Sequence, residues 1–395
     1  MAEKKLRVGV IGVGYVSKNN FLPVLPRFDD VEFVGLMAGK LENAQHAQRL
    51  CGAQHAVATL EAFVSLGLDC AFVLTPKQCH AEQISFLLEQ GIDVYSEKPM
   101  ATTLKDAARI AETAAKTGNK LMIGFNRRYA PVCQKAKAVY GEGAPEVIIA
   151  QKNRPATEYR ATLENAIHMV DLMRYYGGEV KDVHALTKFT DPYYETFTTA
   201  QLEFENGASG MLIAARCSGQ WEETIELHGN NRSAFIKMPD SVTVTDAEEQ
   251  HKTAMTPLAM GWAKSEDKLG FTNAIRHFLD CVRDGKTADR CGGRLQDPRA
   301  ARPHPACRRA AGDGLKEGAA MFKIAGHTMG TPEYTVCEAI ELMRRIGADG
   351  IEIVVQDGYR SGLPCDCGAQ TLAEVKRCAE RNGIQIICLT PYNSY

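Results

Sequence analysis

The sequence predicts an α/β fold in two parts, a doubly wound parallel sheet followed by a second domain with a largely antiparallel pattern. Three observations carry this. Over the first 124 residues, strand-like apolar runs alternate with helix-periodic stretches. The first run closes in glycines, "LRVGVIGVG". From Val147 onward, short alternating runs are separated by Gly and Asn turns.

"LRVGVIGVG" is continuously apolar and β-branched, as a parallel strand buried on both faces requires. "YVSKNNFLPVLPRF" then has helical spacing, and "VEFVGLMA" reads as a second strand. "DCAFVLTP", "DVYSEKP" and "KLMIGF" read as further strands, with helical "AEQISFLLEQG" and "LKDAARIAETAAKTG" between them. In such a sheet the ligand sits beyond the carboxyl ends of the strands. At the first of these ends, Gly12 permits a tight turn and Gly14 lets the backbone approach a pyrophosphate, with Tyr15 and Val16 opening the next helix. Ser17 stands in place of a third glycine. The end of the second strand reads Met37-Ala38-Gly39-Lys40, without the carboxylate that would bind NAD ribose hydroxyls. Lys40 could meet the 2′-phosphate of NADP or be an ordinary solvated lysine, so NAD and NADP both stay open.

Composition excludes several classes. The 395 residues are 45% hydrophobic and 24% charged, with a formal net charge of -2, so no basic excess exists to neutralise nucleic acid or anionic membrane. A small-molecule partner is expected. No apolar run approaches the roughly 18 residues of a membrane span, and the N-terminus lacks an apolar signal region, which gives a cytoplasmic expectation. Thirteen scattered cysteines fit a reducing compartment, and "CDC" at Cys365 and Cys367 lacks the second pair a metal site needs, so no metal is expected.

"SEKPMATT", together with "VGVIGVGYVSK", "TPKQCHAEQ", "GFNRRYAP" and "ENAIHMVDLMRYYGG", resembles the Gfo/Idh/MocA family of NAD(P)-dependent sugar and cyclitol oxidoreductases over about residues 5–287. The resemblance implies a Rossmann domain over residues 1–124 and, over 125–287, an α/β substrate domain with an open, largely antiparallel sheet. That sheet often mediates oligomerisation, so a homo-oligomer, dimer or tetramer, is expected. It implies that Lys98 hydrogen-bonds the reacting oxygen beside the nicotinamide, stabilising its charge in a dry site. Glu97 is open between a structural and a cofactor-side role. Gly12, Gly14, Tyr15, Val16, Ala38, Lys40, Thr75, Pro76, His80, Glu97 and Lys98 make up the expected cofactor contacts.

Glu164, His168 and Asp171 are spaced i, i+4, i+7, one face of a helix. Oxidising a secondary alcohol needs a base for the hydroxyl proton, and His168 is the candidate, titrating near neutral pH. Glu164 would orient His168 or bind a substrate hydroxyl, and Asp171 would hold the imidazole or shape the pocket. Three departures from the family pattern bear on substrate: Glu164 for Asp, Ala166 for Gly, and Lys77 for Asn in the "TPxxxH" loop. His80, that motif's other polar residue, is open between supporting the cofactor and a structural role. The substrate implied is a sugar or polyol, inositol-like. The alternative function is a non-catalytic relative that senses cofactor or sugar.

"FTNAIRHFLDCVRDGK" repeats apolar residues at helical spacing, as the late helix of the family it resembles does. Beyond it, three prolines and six arginines among residues 288–310 break any periodicity. Residues 288–320 read as a natural linker or, the favoured reading, as a coding region translated out of frame. Lys316-Glu317-Gly318 can be encoded by a ribosome-binding sequence ahead of a start at Met321. Residues 321–395 resemble the first units of the sugar phosphate isomerase/epimerase TIM barrels, with Glu352 at a position of that family's metal-binding acids. A closed barrel needs eight such units, about 250 residues, so a truncated fragment with unpaired strand edges and no second active site is expected.

Overall fold

The computed structural model describes residues 4–141, 143–155, 160–190, 193–284, 325–328, 334–358 and 360–391. The chain divides into two compact units, Met1–Ala300 and Ala301–Tyr395. The reading of residues 288–320 lies outside the described residues.

The first sheet of the first unit has strands β1 (Leu6–Ile11), β2 (Val31–Met37), β3 (His55–Val57), β4 (Cys70–Val73), β5 (Asp93–Ser96) and β6 (Leu121–Ile123). All pair in parallel, in the order β3-β2-β1-β4-β5-β6. The order reverses between β1 and β4, which places the ligand crevice at their carboxyl ends. Local signals fix the connections. The Leu104–Thr117 helix begins where Thr103 Oγ1 accepts from Asp106 N at 3.1 Å and ends at Gly118, whose φ of 73° is the left-handed stop. The expected long helix after β1 is instead Tyr15–Asn20 followed by a short turn at Leu25–Arg27, because Pro23 and Pro26 interrupt the backbone ladder.

The second sheet holds β7 (Val147–Asn153), β8 (Val180–Phe189), β9 (Glu195–Phe204), β10 (Ser209–Ala215), β11 (Glu222–Gly229), β12 (Arg232–Lys237), β13 (Ser241–Asp246) and β14 (Glu249–Ala254). Its order is β14-β13-β12-β11-β7-β10-β9-β8, antiparallel throughout except for the β7–β10 pair. One face buries Ile148, Ala150, Leu212, Ala214, Ile225 and Leu227 against the Pro131–Tyr140 and Ile167–Gly177 helices.

The Phe271–Asp284 helix follows the second sheet in sequence yet packs on the first. Phe271, Ile275, Phe278 and Leu279 are buried in one cluster with Val8, Val10, Phe72 and Tyr95. Phe278 stands edge-on to Phe72 and Tyr95 at 5.4 and 5.7 Å between ring centroids, and Phe271 to Phe21 at 5.6 Å. Such pairs add about 0.5–1.5 kcal/mol each beyond burial. Although it falls within residues 125–287 in sequence, its apolar stripe completes the core of the first sheet.

In the second unit, β15 (Ala325–His327), β16 (Gly350–Val355) and β17 (Gln385–Pro391) form a parallel sheet in sequence order, joined by the Val336–Arg345 and Ala369–Asn382 helices. The first helix is fixed by a capping box between Thr335 and Glu338. Ile340, Met343, Ile351, Ile353 and Val375 form this unit's own core. Among the described residues no helix is long and apolar enough to cross a membrane.

Candidate active site

The chain turns at the end of β1 in a way only glycine permits. Gly12 has φ +96°, and a Cβ there would lie 2.6 Å from the Leu74 carbonyl oxygen and 2.9 Å from Thr75 N. Gly12 N donates to the Met37 oxygen at 2.9 Å, so the turn sits in the crevice where the strand order reverses. Nothing lies within 4 Å of a Cβ at Gly14, and Tyr15 is 82% exposed with Val16 partly so. Ser17 is fully buried, and its hydroxyl has no hydrogen-bond partner among the described residues. This open, glycine-lined turn fits a dinucleotide pyrophosphate. Ala38 is buried and Lys40 exposed just past β2. Thr75 Oγ1 donates to Gln83 Oε1 at 2.6 Å, and Pro76 follows it at the end of β4.

The turn after β5 carries Glu97, Lys98 and Pro99. His80 is buried, with Nδ1 2.8 Å from the Pro99 oxygen and Nε2 2.9 Å from the Thr75 oxygen, so it ties this turn to the loop after β4. Glu97 is buried; Oε2 accepts from Lys98 N at 3.2 Å, while Oε1 has no partner among the described residues. Burial pushes its carboxyl up to about 7 against the opposing charge of Lys98. Lys98 Nζ donates to the Glu164 backbone oxygen at 3.0 Å, and burial lowers its pKa while Glu97 opposes.

The helix-face set is rearranged. Residues Ala161–Ala166 form a wide π-type turn before the Ile167–Gly177 helix, so Glu164 does not continue the helix of His168. The Glu164 carboxylate points elsewhere: Oε2 accepts from Arg160 N at 2.8 Å, and Oε1 pairs with Lys77 Nζ. Asp171 is held by Arg128, Nε to Oδ2 at 2.7 Å and Nη2 to Oδ1 at 2.5 Å. His168 is 7% exposed and its Nδ1 has no partner among the described residues. The expectation that Glu164 or Asp171 orients the imidazole is therefore corrected, since both carboxylates are engaged by cations. The expected near-neutral titration of His168 is corrected too. Burial, then Arg127, Lys152 and Lys98, push it well below the ordinary histidine value.

Three buried residues beside this set were not assigned from sequence. Arg127 Nε donates to Glu223 Oε1 at 2.8 Å and Nη2 to Oε2 at 3.4 Å, while Lys152 Nζ donates to the same Oε2. Burial works against ionising Glu223, but the charges of Arg127 and Lys152 and their hydrogen bonds outweigh it and hold the carboxyl at about 2. Burial, with Arg127 adding to it, pushes Lys152 down to about 7 against the pull of Glu223. A signal existed: Lys152 falls in phase with the buried Ile148 and Ala150, and Glu223 with Ile225 and Leu227, so each places a charge on a core-facing position.

Residues 6–125 match the oxidoreductase family with NAD-binding Rossmann fold, GFO_IDH_MocA, and residues 134–235 match the GFO/IDH/MocA C-terminal domain. The chain belongs to the Gfo/Idh/MocA family. It is an NAD(P)-dependent oxidoreductase of that family. It is similar to the scyllo-inositol 2-dehydrogenase (NAD(+)) of Bacillus subtilis, 25% identical over 311 residues, covering 72% of this chain and 88% of the relative. It is also similar to the D-apiose dehydrogenase of Paraburkholderia graminis, 22% identical over 307 residues, covering 71% and 82%. The crystal structure of a dehydrogenase (MviM) from Clostridium difficile shares the fold, with a TM-score of 0.65 at 21% identity over 75% of this chain and 97% of that one. Against the Gfo/Idh/MocA pattern, two of the three departures in this chain, Lys77 and Glu164, pair with each other across the crevice.

Proposed function

We propose that the chain oxidises a secondary alcohol of a sugar or cyclitol to the ketone, or runs the reverse reduction, with Lys98 and His168 as catalytic residues. The observation that carries the roles is the placement of Lys98: at the carboxyl end of β5, on the same edge of the sheet as the glycine turn after β1, with Nζ anchored on the Glu164 carbonyl. When bound, NAD(P) supplies the hydride acceptor. Lys98 donates a hydrogen bond to the reacting oxygen and stabilises its charge. His168, held neutral by burial and by the nearby cations, accepts the hydroxyl proton, so each alcohol converted yields one ketone, one hydride and one proton. Glu164 and Asp171 act as positioning residues, Glu164 by fixing the turn that carries the Lys98 contact and Asp171 by anchoring Arg128. Gly12, Gly14, Tyr15, Val16, Ala38, Lys40, Thr75, Pro76, His80 and Glu97 form the cofactor side. Lys40, solvent-facing past β2, suits an NADP 2′-phosphate.

The wider reading is a cytoplasmic homo-oligomer, dimer or tetramer, with a cofactor domain, a substrate domain and a barrel-like fragment. Support for association is the row Met211, Ile149, Glu226 and Phe235 on the sheet face turned away from the helices, apolar but for Glu226, where Met211 is 51% and Phe235 43% exposed. Support for the barrel reading, of the sugar phosphate isomerase/epimerase kind, is the parallel β15-β16-β17 order with a helix in each crossover. The test of the main reading is nicotinamide absorbance on a sugar and cyclitol panel with both NAD and NADP. Reduction of either cofactor supports it, and silence across the panel favours a cofactor- or sugar-sensing relative.

A further inference from the structure

The helix-covered face of the second sheet changes character along its strands. On β7, Ile148 and Ala150 are buried and apolar, Lys152 is buried and charged, and Arg154 follows in the same phase one residue past the strand. On the parallel neighbour β10, Leu212 and Ala214 lead to Arg216 in the same way. The ladder holds both arginines: Arg154 N donates to the Ala215 oxygen at 3.0 Å and Arg216 N to the Thr196 oxygen at 2.8 Å.

Aromatic rings back these cations. The Arg154 guanidinium lies 4.1 Å from the Trp221 ring centroid, Lys152 Nζ lies 5.8 Å from the same ring, and the Arg216 guanidinium lies 4.6 Å from the Tyr194 centroid. Two buried carboxylates beside them are already engaged. Glu223 takes Arg127 and Lys152, and Glu195 takes Arg160, Thr162 Oγ1 and Ala161 N. Arg216 Nε and Nη1 and Thr196 Oγ1 are buried without hydrogen-bond partners among the described residues. A buried guanidinium N–H without an acceptor is costly, and an arginine fork fits a planar or tetrahedral anion. The patch adjoins the candidate site, because Arg154 bears on the charge of Lys98, and Lys152 on that of His168.

We propose that the substrate carries an anionic group, a carboxylate or a phosphate, on its sugar or cyclitol frame, and that Arg216 with Arg154 receives that group at the ends of β10 and β7. This rests on the dehydrogenase reading for its location and narrows the substrate class: the anion anchors one end while Lys98 and His168 meet the reacting carbinol at the other.

Trp221 supplies a direct probe. It is one of only two tryptophans, so Trp262→Phe leaves its emission alone to be read in the full chain. Gluconate, inorganic phosphate and neutral sorbitol are titrated separately. The expected result is a saturable change with gluconate or phosphate and none with sorbitol. Gluconate alone assigns a carboxylate, phosphate alone a phosphate ester. Arg216→Met should raise the half-saturating concentration at least about tenfold, and Arg216→Lys should restore part of it. Circular dichroism on each variant confirms folding. No saturable response to either anion, an equal response to sorbitol, or a response indifferent to Arg216→Met overturns the proposal. The cofactor assay separates the two readings. Neutral polyols oxidised with the anion titrations silent sink the anionic-substrate proposal alone, whereas anion binding without cofactor reduction by any sugar, sugar acid or sugar phosphate sinks the dehydrogenase reading alone.

Discussion

Lys77, on the loop after β4, forms an ion pair with Glu164, in the wide turn that leads into the second domain's helix. Each is longer than the residue common in the family, Asn and Asp, and the added lengths meet across the crevice. The two side chains are only 24% and 11% exposed, so solvent screens the pair weakly. Lys77→Asn and Glu164→Asp should each lower kcat/KM about tenfold, and the double variant should lose less than the two combined. A double-mutant cycle is expected to show about 0.5–3 kcal/mol of coupling. Strict additivity would mean the pair does not position the site.

Lys98→Ala is expected to reduce kcat by roughly 10²- to 10³-fold, the scale of a lost oxyanion donor. Cofactor affinity should stay nearly unchanged, because in the proposed reading the pyrophosphate is held by the glycine turn at Gly12 rather than by Lys98. Stopped-flow turnover paired with cofactor titration reads both quantities, and a large loss of cofactor affinity would count against the assigned role.

His168→Ala should lower the rate by roughly 10²- to 10⁴-fold. The pH dependence discriminates further. His168 is neutral at pH 7 because burial and then Arg127, Lys152 and Lys98 depress its pKa well below the ordinary value. Its protonation, and the loss of its capacity as a base, comes only at more acidic pH. Lys152 and Glu97, each at about 7, titrate near neutrality instead. A kcat/KM profile of the variant is therefore expected to keep any neutral inflection and lose the acid limb.

Glu223→Gln leaves Arg127 and Lys152 buried without their shared carboxylate, which should cost about 3–5 kcal/mol in urea unfolding. The sign with pH follows from a folded pKa of about 2 against 4.5 for the free side chain. The carboxylate's stabilisation is fully present above 4.5 and is lost as pH falls through 2. The wild-type chain should lose more stability on acidification than the Gln variant does.

The parallel strands other than β3, a three-residue "HAV" edge, were legible because their apolar, β-branched runs need no long-range information. β14 was not: "EQHKTA" has neither alternation nor apolar content, and it exists as the hairpin partner of β13. The reversal there uses Ala247 and Glu248 at φ 47° and 75°, a conformation usually marked by Gly or Asn. The residues of the helix-face set were legible but not their pairing, because the helical spacing assumed a regular helix from Glu164 and the wide turn breaks its phase. Lys152 meets Glu223 across adjacent strands, 71 positions away, beyond what local periodicity can report.

The Phe271–Asp284 helix has a consequence for synthesis of the chain. The β1–β6 sheet leaves the ribosome first, but the aromatic side chains of Phe21, Phe72 and Tyr95 stay uncovered until Phe271 and Phe278 arrive. At about 5–20 residues per second, the nascent sheet waits on the order of ten seconds with that face bare. Trigger-factor-like holding of the nascent chain is suited to that interval, and a gene cut after the sixth strand yields an insoluble product rather than a free-standing nucleotide-binding module.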